Sequence, residues 1–229
     1  MDRPISLLLT SPTPALLAEI SRQRPDWQVI TLDDSPPAGP LTGQVWAFVD
    51  WLCPGISGLE LCRRLRDASE TRQAHVTMVI DSQDSDARRR AMEAGADDYL
   101  VGPLDCPRLI DRIEAGLPQS AVPAAAERRQ QFSHGEVQID LAAHQVRFRG
   151  KVVSLRPNEF RLFVLFLQSP DRVHSRASLI GRLGKEDQHI DERTVDVWVG
   201  RLRRALIAQG APDPLRTVRS VGYVLDTQP

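Results

Sequence analysis

WAFVDWLCPGISGLELCRRLRDA, residues 46–68, joins an apolar run to a stretch of helical period through a loop of turn residues. The run WAFVD predicts a buried strand that ends at Asp50. In the second half, Leu61 and Leu65 recur four residues apart while the arginines project to other sides, which predicts an amphipathic helix. A strand followed by a crossover helix is the repeating unit of a parallel sheet, so this stretch predicts an α/β fold.

The same alternation continues on both sides of this stretch. Apolar runs at residues 5–9, 27–32, 76–80 and 98–102 alternate with helical patterns, which predicts a doubly wound parallel sheet with helices on both faces. Residues 33–44, DDSPPAGPLTGQ, contain three prolines and two glycines where a crossover helix is due. We therefore expect a loop at this point.

Charge divides the 229-residue chain into two parts. Residues 1–117 contain 12 Lys+Arg against 18 Asp+Glu, and residues 118–229 contain 17 against 12. The segment LPQSAVPAAAERRQQ lies where the sign changes, is rich in proline and alanine, and has no apolar period. We therefore expect domains at 1–117 and 131–229, joined by a linker at 118–130. The basic second domain suits a polyanionic partner, although a solvated surface explains its charge as often.

The composition disfavours metal sites, cofactors and enzymatic chemistry. Cys53, Cys62 and Cys106 have no metal-ligand spacing, and the five histidines are scattered without the spacing of a metal site or a triad. A glycine-rich phosphate loop is also missing from the sequence. Apolar runs fall short of the ~20 residues that cross a bilayer, and prolines interrupt the first of them. We expect a cytoplasmic protein without a metal, a cofactor or a membrane partner.

The second half predicts short strands, three helices and a terminal hairpin. The first helix, PNEFRLFVLFLQS, has one buried stripe, which comprises Phe160, Phe163, Val164 and Leu167. The third helix has a narrow core stripe, which comprises Val195, Val199, Leu202 and Leu206. Its opposite side carries arginines among small or apolar residues: Arg193, Val197, Gly200, Arg201 and Arg204, with Thr194, Trp198 and Arg203 on the flanks.

Such a helix face suits the major groove of DNA. Guanidinium groups bind guanine edges or phosphates, and a valine methyl can contact the thymine methyl. In the hairpin, Thr217 and Arg219 are predicted to point outward while Val218 and Val221 pack inward. Two helices followed by such a hairpin form the plan of a winged helix-turn-helix domain. A basic helix face that is merely solvated is the alternative from the helix alone.

Residues 131–226 resemble the DNA-binding domain of the OmpR/PhoB-type response regulators, through RPNEFRLFVLF, ERTVDVWVGRLRRAL and TVRSVGY. The resemblance implies transcriptional control by sequence-specific binding to double-stranded DNA, as a tandem dimer on direct repeats. It implies these contacts: Arg193, Thr194, Val197, Trp198, Arg201, Arg203, Thr217, Arg219 and Tyr223. Gly200 departs from the family, where a long polar side chain is common. The loop GRLGKEDQHID lacks the Trp-Gly pair of activators that touch RNA polymerase, which leaves activator and repressor open.

The first domain, about residues 3–117, resembles the receiver domain of the same family. DWLCPGISG fits the phospho-acceptor loop, which makes Asp50 the phospho-acceptor position. Phosphorylation of a carboxylate requires magnesium, a lysine and a hydroxyl donor to compensate the added charge. The corresponding positions here are Thr10 and Ser11 instead of an acidic pair, Ile80 instead of Thr or Ser, and Gly102 instead of lysine. We expect a degenerate receiver that acts without phosphorylation, although a one-residue shift would bring Asp81 or Ser82 toward the pocket.

EAGADDYLVGP fits the segment that forms part of the family's dimer face. The resemblance implies a homodimer through Arg88, Glu93, Asp97, Asp98, Tyr99, Arg108, Asp111 and Arg112. Charges that only solvate the surface are the alternative, because surface ion pairs contribute little individually. Two other functions stay open: a conventional kinase-phosphorylated regulator, and an interaction adaptor whose receiver pocket binds a partner or a small ligand. Steep weakening of binding with salt would favour DNA.

Overall fold

A computed structural model describes residues 4–81, 84–116, 131–141, 143, 145–183 and 191–226. The chain divides into two compact units, Met1–Glu114 and Ala115–Pro229. The predicted linker at 118–130 lies outside the described residues, as does most of the loop GRLGKEDQHID. Within the described ranges, every helix is too short or too polar to cross a membrane.

The N-terminal unit is built on a parallel sheet of five strands in the order β2-β1-β3-β4-β5. The strands are β1 (Ile5–Thr10), β2 (Gln28–Leu32), β3 (Gln44–Asp50), β4 (His75–Ile80) and β5 (Asp98–Val101). The helices are α1 (Pro14–Gln23), α2 (Gly58–Asp67), α3 (Ser85–Ala94) and α4 (Cys106–Gly116). Strands β1 and β4 are buried along their whole length, as expected for a parallel sheet that is covered on both faces. The predicted doubly wound fold is confirmed.

The described residues between β2 and β3 contain no helix, which confirms the loop predicted from the prolines at 33–44. Strand order reverses between β1 and β3, because β1 lies between β2 and β3. The carboxyl ends of the strands at such a reversal form the usual binding crevice of an open α/β sheet. Thr10 ends β1 and Asp50 ends β3, so both residues lie at this crevice.

The C-terminal unit starts with a four-stranded antiparallel sheet of β6 (Gln131–His134), β7 (Val137–Asp140), β8 (Gln145–Phe148) and β9 (Lys151–Val153). Three helices follow: α5 (Pro157–Gln168), α6 (Arg176–Arg182) and α7 (Glu192–Ala208). Strands β10 (His174–Ser175), β11 (Leu215–Val218) and β12 (Gly222–Leu225) form a second sheet in the order β10-β12-β11. The predicted winged helix architecture is confirmed.

The core of the C-terminal unit lies between α5 and α7. Phe160 and Phe163 are buried on α5, as predicted, and Phe166 is fully buried beside them. Val164 is only half-buried, so the prediction that it belongs to the buried stripe is wrong. The apolar face of α5 is centred on its three phenylalanines instead. All four residues of the predicted α7 core stripe are buried.

Candidate functional site

Helix α7 presents a basic face at the surface of the C-terminal unit. It begins after Asp191, whose side chain accepts a hydrogen bond from the backbone N–H of Arg193 and so caps the helix. Arg193 and Arg204 are exposed, and Val197, Gly200 and Arg201 are half-buried. These residues lie opposite the buried stripe, so the face predicted from the helical period is present in the structure.

The hairpin of β11 and β12, called the wing below, projects two polar side chains. Thr217 and Arg219 are exposed, as predicted. Val218 is half-buried, but Val221 is 50% exposed, so the prediction that Val221 packs inward is wrong. Residues 219–221 form the turn, where Ser220 has φ +59°. The alternation of a strand does not extend through such a turn.

Arg203 links α7 to the wing. Its Nη2 donates to the backbone oxygen of Leu215 at 2.7 Å and to Thr217 Oγ1 at 3.0 Å. Its Nε lies 2.9 Å from Asp213 Oδ2, an ion pair. The Arg203 guanidinium is therefore directed at the wing rather than outward from the helix, and we assign it a positioning role.

Tyr223 lies inside the C-terminal unit, where it joins α6, α7 and the wing. Its hydroxyl donates to Asp196 Oδ1 at 2.5 Å, and the same oxygen accepts from Arg176 Nε at 2.7 Å. Burial and the neighbouring Asp196 carboxylate raise the pKa of the Tyr223 hydroxyl. Tyr223 is 4% exposed, so the prediction that it contacts DNA is wrong. Arg176 and Asp196 are functional residues that the sequence prediction did not include, although Asp196, an acidic residue in the basic part of α7, was a sign of a cationic neighbour.

The crevice of the N-terminal unit contains a reciprocal pair of hydrogen bonds between Thr10 and Asp50. Thr10 Oγ1 donates to Asp50 Oδ2 at 2.8 Å, and the backbone N–H of Asp50 donates to Thr10 Oγ1 at 2.8 Å. Burial is the main cause that raises the pKa of the Asp50 carboxyl; Thr10 opposes the shift and the Asp81 carboxylate adds to it. Burial of a carboxylate without a strong cationic partner disfavours its charged form and so raises its pKa.

The loop after Asp50 is held close to the strand end. The backbone N–H of Gly58 donates to Trp51 O at 3.0 Å. A Cβ on Gly58 would lie 1.9 Å from Asp50 O, so only glycine fits at this position. On the other side of the crevice, Ile80 is 1% exposed and supplies no donor.

Gly102 has a left-handed backbone, with φ +87°. Arg108 lies next to it and donates to the carbonyl oxygens of Val101 at 2.7 Å and Pro103 at 2.9 Å. Ser11 is exposed, Asp81 is exposed, and Ser82 lies outside the described residues. The described residues contain no group of three or more side chains suited to a metal ion.

Two family descriptions match the chain. Residues 46–114 match the response regulator receiver domain, and residues 150–225 match the C-terminal domain of transcriptional regulatory proteins. The phosphate regulon transcriptional regulatory protein PhoB of Rhizobium meliloti strain 1021 is 42% identical over 180 residues, which cover 79% of this chain and 78% of that protein. The chain is an OmpR/PhoB-type response regulator. PhoB of Escherichia coli strain K12 is 33% identical over 181 residues, with the same two coverages.

A solved RitR mutant structure has a TM-score of 0.56 and 17% identity, and the match covers 96% of this chain and 98% of that one. This likeness concerns the fold alone. Family membership makes the chain a DNA-binding transcriptional response regulator, with a receiver domain followed by a winged helix domain.

Besides Tyr223, two more of the contacts carried over from other response regulators are buried here. Thr194 is 4% exposed and Trp198 is 0% exposed, so the predictions that they contact DNA are wrong. Helix α7 packs against both α5 and α6, which requires an apolar face wider than the four-residue stripe. Thr194 and Trp198, which flank the stripe, therefore fall in the core.

The predicted dimer face of this response regulator is also partly buried. Asp97 forms an ion pair with Arg66 at 2.5 Å, and Asp98 forms one with Arg112 at 2.6 Å. All four side chains are at most 9% exposed, and Tyr99 is 1% exposed beneath the Arg88 guanidinium, 5.2 Å from its ring centroid. The predictions that Asp97, Asp98, Tyr99 and Arg112 line a dimer face are therefore wrong. Strand β5 and its surroundings are covered on both sides. Arg66 lies on α2, 31 residues from Asp97 in the chain, so no local pattern predicts this pair.

Proposed function

We propose that this response regulator binds a specific double-stranded DNA sequence through the outward face of α7 and the wing, and that it does so without phosphorylation of Asp50. One observation supports the proposed DNA binding: Arg193 on α7 is exposed together with Thr217 and Arg219 on the wing. Helix and wing arginines of this kind bind base edges and phosphates. Val197 and Arg201, on the same side of α7, complete the proposed contact set.

Replacement of Arg193 by alanine is expected to lower affinity for a specific duplex by ~1–3 kcal/mol if the guanidinium reads a base. The duplex is obtained by selection from a randomised pool with the full-length protein, and affinity is measured by fluorescence anisotropy across a series of salt concentrations. Loss of a phosphate contact would instead weaken binding to all sequences and reduce the salt slope by about one.

Arg216→Ala is a matched control. Like Arg193→Ala it removes one positive charge from the C-terminal unit, but Arg216 lies on the wing and Arg193 on α7. Both oxygens of Asp226 accept from the Arg216 guanidinium, at 2.7 and 2.9 Å, so this guanidinium is held at Asp226 within the wing. We expect a much smaller loss of affinity than for Arg193→Ala. Equal losses in the two variants would show that only total charge matters, which contradicts the proposed contact.

The proposal of a degenerate receiver rests on the surroundings of Asp50. Thr10 occupies one carboxylate oxygen with a neutral donor, Ile80 supplies no hydroxyl, and Gly102 supplies no cation. Arg108, the cation beside Gly102, is engaged by two backbone carbonyl oxygens. A phosphoryl group on Asp50 would add negative charge to a site whose carboxyl already has a raised pKa, and such charge requires preorganised cations or donors.

Full-length protein treated with acetyl phosphate and magnesium is expected to show no shifted band on a phosphate-affinity gel, because the charge on a phosphorylated Asp50 is not compensated. Asp50→Asn is expected to bind the selected duplex as tightly as wild type. Asp81→Asn is the control for modification of the neighbouring carboxylate. Stoichiometric labelling that disappears in Asp50→Asn and persists in Asp81→Asn would refute phosphorylation independence.

We further propose that two copies associate through the receiver and bind direct repeats, with domains at 1–117 and 131–229 and a linker at 118–130. The residues of the predicted dimer face that keep solvent contact are Arg88, Glu93, Arg108 and Asp111. The proposed dimer is permanent or driven by protein concentration, and surface ion pairs contribute little to it individually. Contact with RNA polymerase would involve the loop after α6.

A further inference from the structure

Gly200 lies in the middle of α7, on its outward face. At 100° per residue, it lies between Arg193, two turns before it, and Arg204, one turn after it, with Val197 beside them. A Cβ on Gly200 would meet no atom within 4 Å. Arg204 Nε donates to the Gly200 carbonyl oxygen at 3.2 Å, so the arginine side chain folds back along the helix backbone and leaves the Cβ position of residue 200 open.

The C-terminal unit itself does not require glycine at this position. Gly200 has no positive φ, and its surroundings are open. Gly58 and Gly222 are different, because a Cβ on either would lie 1.9 Å from a backbone oxygen. Glycine in an exposed helix interior weakens the helix relative to alanine. The folded unit therefore bears a cost that its own packing does not explain.

We propose that Gly200 determines DNA specificity by allowing close approach of the α7 backbone to the base-pair edges of the major groove. This inference rests on the proposed function. A helix with its side chains is about as wide as the groove, roughly 10–12 Å against 12 Å. The missing side chain at the centre of the outward face lets the helix enter more deeply, where Val197 and Arg193 reach base edges. Any side chain at residue 200 holds the helix away from those edges.

The competing interpretation is that Gly200 only lacks a contact that a long polar side chain would make. The two interpretations predict opposite effects of an added side chain. Close approach predicts that both Gly200→Ala and Gly200→Arg weaken binding to the preferred duplex. A missing contact predicts that Gly200→Arg strengthens binding and that Gly200→Ala leaves it unchanged.

The experiment uses full-length protein and two duplexes, one enriched by the wild type from a randomised pool and one scrambled duplex of the same composition. Gly200→Ala is expected to raise the Tm of the C-terminal unit by about 4 °C, because alanine favours the helix. The same variant is expected to bind the enriched duplex about 10-fold more weakly. Binding to the scrambled duplex is expected to stay unchanged, since phosphate contacts dominate it.

Gln168→Ala serves as a control, because it changes an exposed residue at the end of α5 and adds no atom to α7. It is expected to bind both duplexes like the wild type. Unchanged affinity of Gly200→Ala for the enriched duplex, or tighter binding by Gly200→Arg, would overturn the role of Gly200 and leave the proposed function standing. A wild-type protein that enriches no duplex and binds no DNA at low salt would overturn the proposed function and this role with it.

Discussion

Asp97→Asn is expected to lower the free energy of unfolding of the receiver domain by about 3–5 kcal/mol, the usual result of breaking a buried ion pair from one side. Asp97 Oδ2 accepts from Arg66 Nη2 at 2.5 Å and from the backbone N–H of Val76 at 2.9 Å. The substitution leaves the Arg66 guanidinium, which is 8% exposed, without its counter-charge. Urea unfolding followed by circular dichroism measures the loss.

Glu93→Gln is the control for this substitution, since it also removes one carboxylate from the predicted dimer face. Glu93 is exposed and pairs only with Arg89 of its own helix among the ion pairs of the described residues, so the expected change in stability is within ~0.5 kcal/mol. Light scattering then measures whether each variant is a monomer or a dimer. If Asp97→Asn were as stable as wild type but monomeric where wild type is dimeric, Asp97 would belong to the dimer face after all.

Trp198→Ala is expected to destabilise the winged helix domain by about 3–5 kcal/mol, the usual loss for a buried aromatic side chain. Trp198 is among the largest fully buried side chains of the protein, and its removal leaves a cavity in the face of α7 that packs on α5 and α6. DNA binding is then lost because the domain unfolds. Thermal unfolding and anisotropy with the selected duplex measure the two effects.

Val197→Ala is the matched control, because Val197 precedes Trp198 in the chain but lies on the side of α7 opposite the buried stripe. It is half-buried, and we expect a loss of stability below ~1 kcal/mol together with weaker binding to the selected duplex. A Trp198→Ala variant that keeps the wild-type Tm but no longer binds DNA would restore Trp198 as a direct contact.

Much of the fold could be predicted because its signals are local. The alternation of apolar runs and helical patterns predicted five parallel strands, and the prolines at 33–44 predicted the missing crossover helix. The period of α7 placed Val195, Val199, Leu202 and Leu206 in the core and Arg193 at the surface. Each of these properties depends on residues within a few positions of one another, so the printed order of residues is sufficient to find them.

The errors in the candidate site occur where local period and tertiary environment differ. Trp198 and Thr194 lie at the flanks of the core stripe, and the position of α6 decides whether a flank is exposed. Val221 follows the alternation of a strand in the sequence, but it lies in a turn in the structure. The sequence predicted Asp97 and Asp98 as surface charges, but in the structure they form buried ion pairs with Arg66 and Arg112. Such long-range pairs leave no periodic signal in the sequence.

The sequence by itself determined the two-part architecture, the basic face of α7 and the position of Asp50 at the end of a buried strand, because all three follow from short-range patterns of polarity. The tertiary structure decided which side chains form hydrogen bonds and ion pairs with each other. Thr10 and Asp50 are 40 residues apart in the chain, Arg66 and Asp97 are 31 apart, and Arg203 and Thr217 are 14 apart. Such pairs form only when separate elements pack together, since a hydrogen bond of about 3 Å depends on the placement of both elements and not on the residues near either partner.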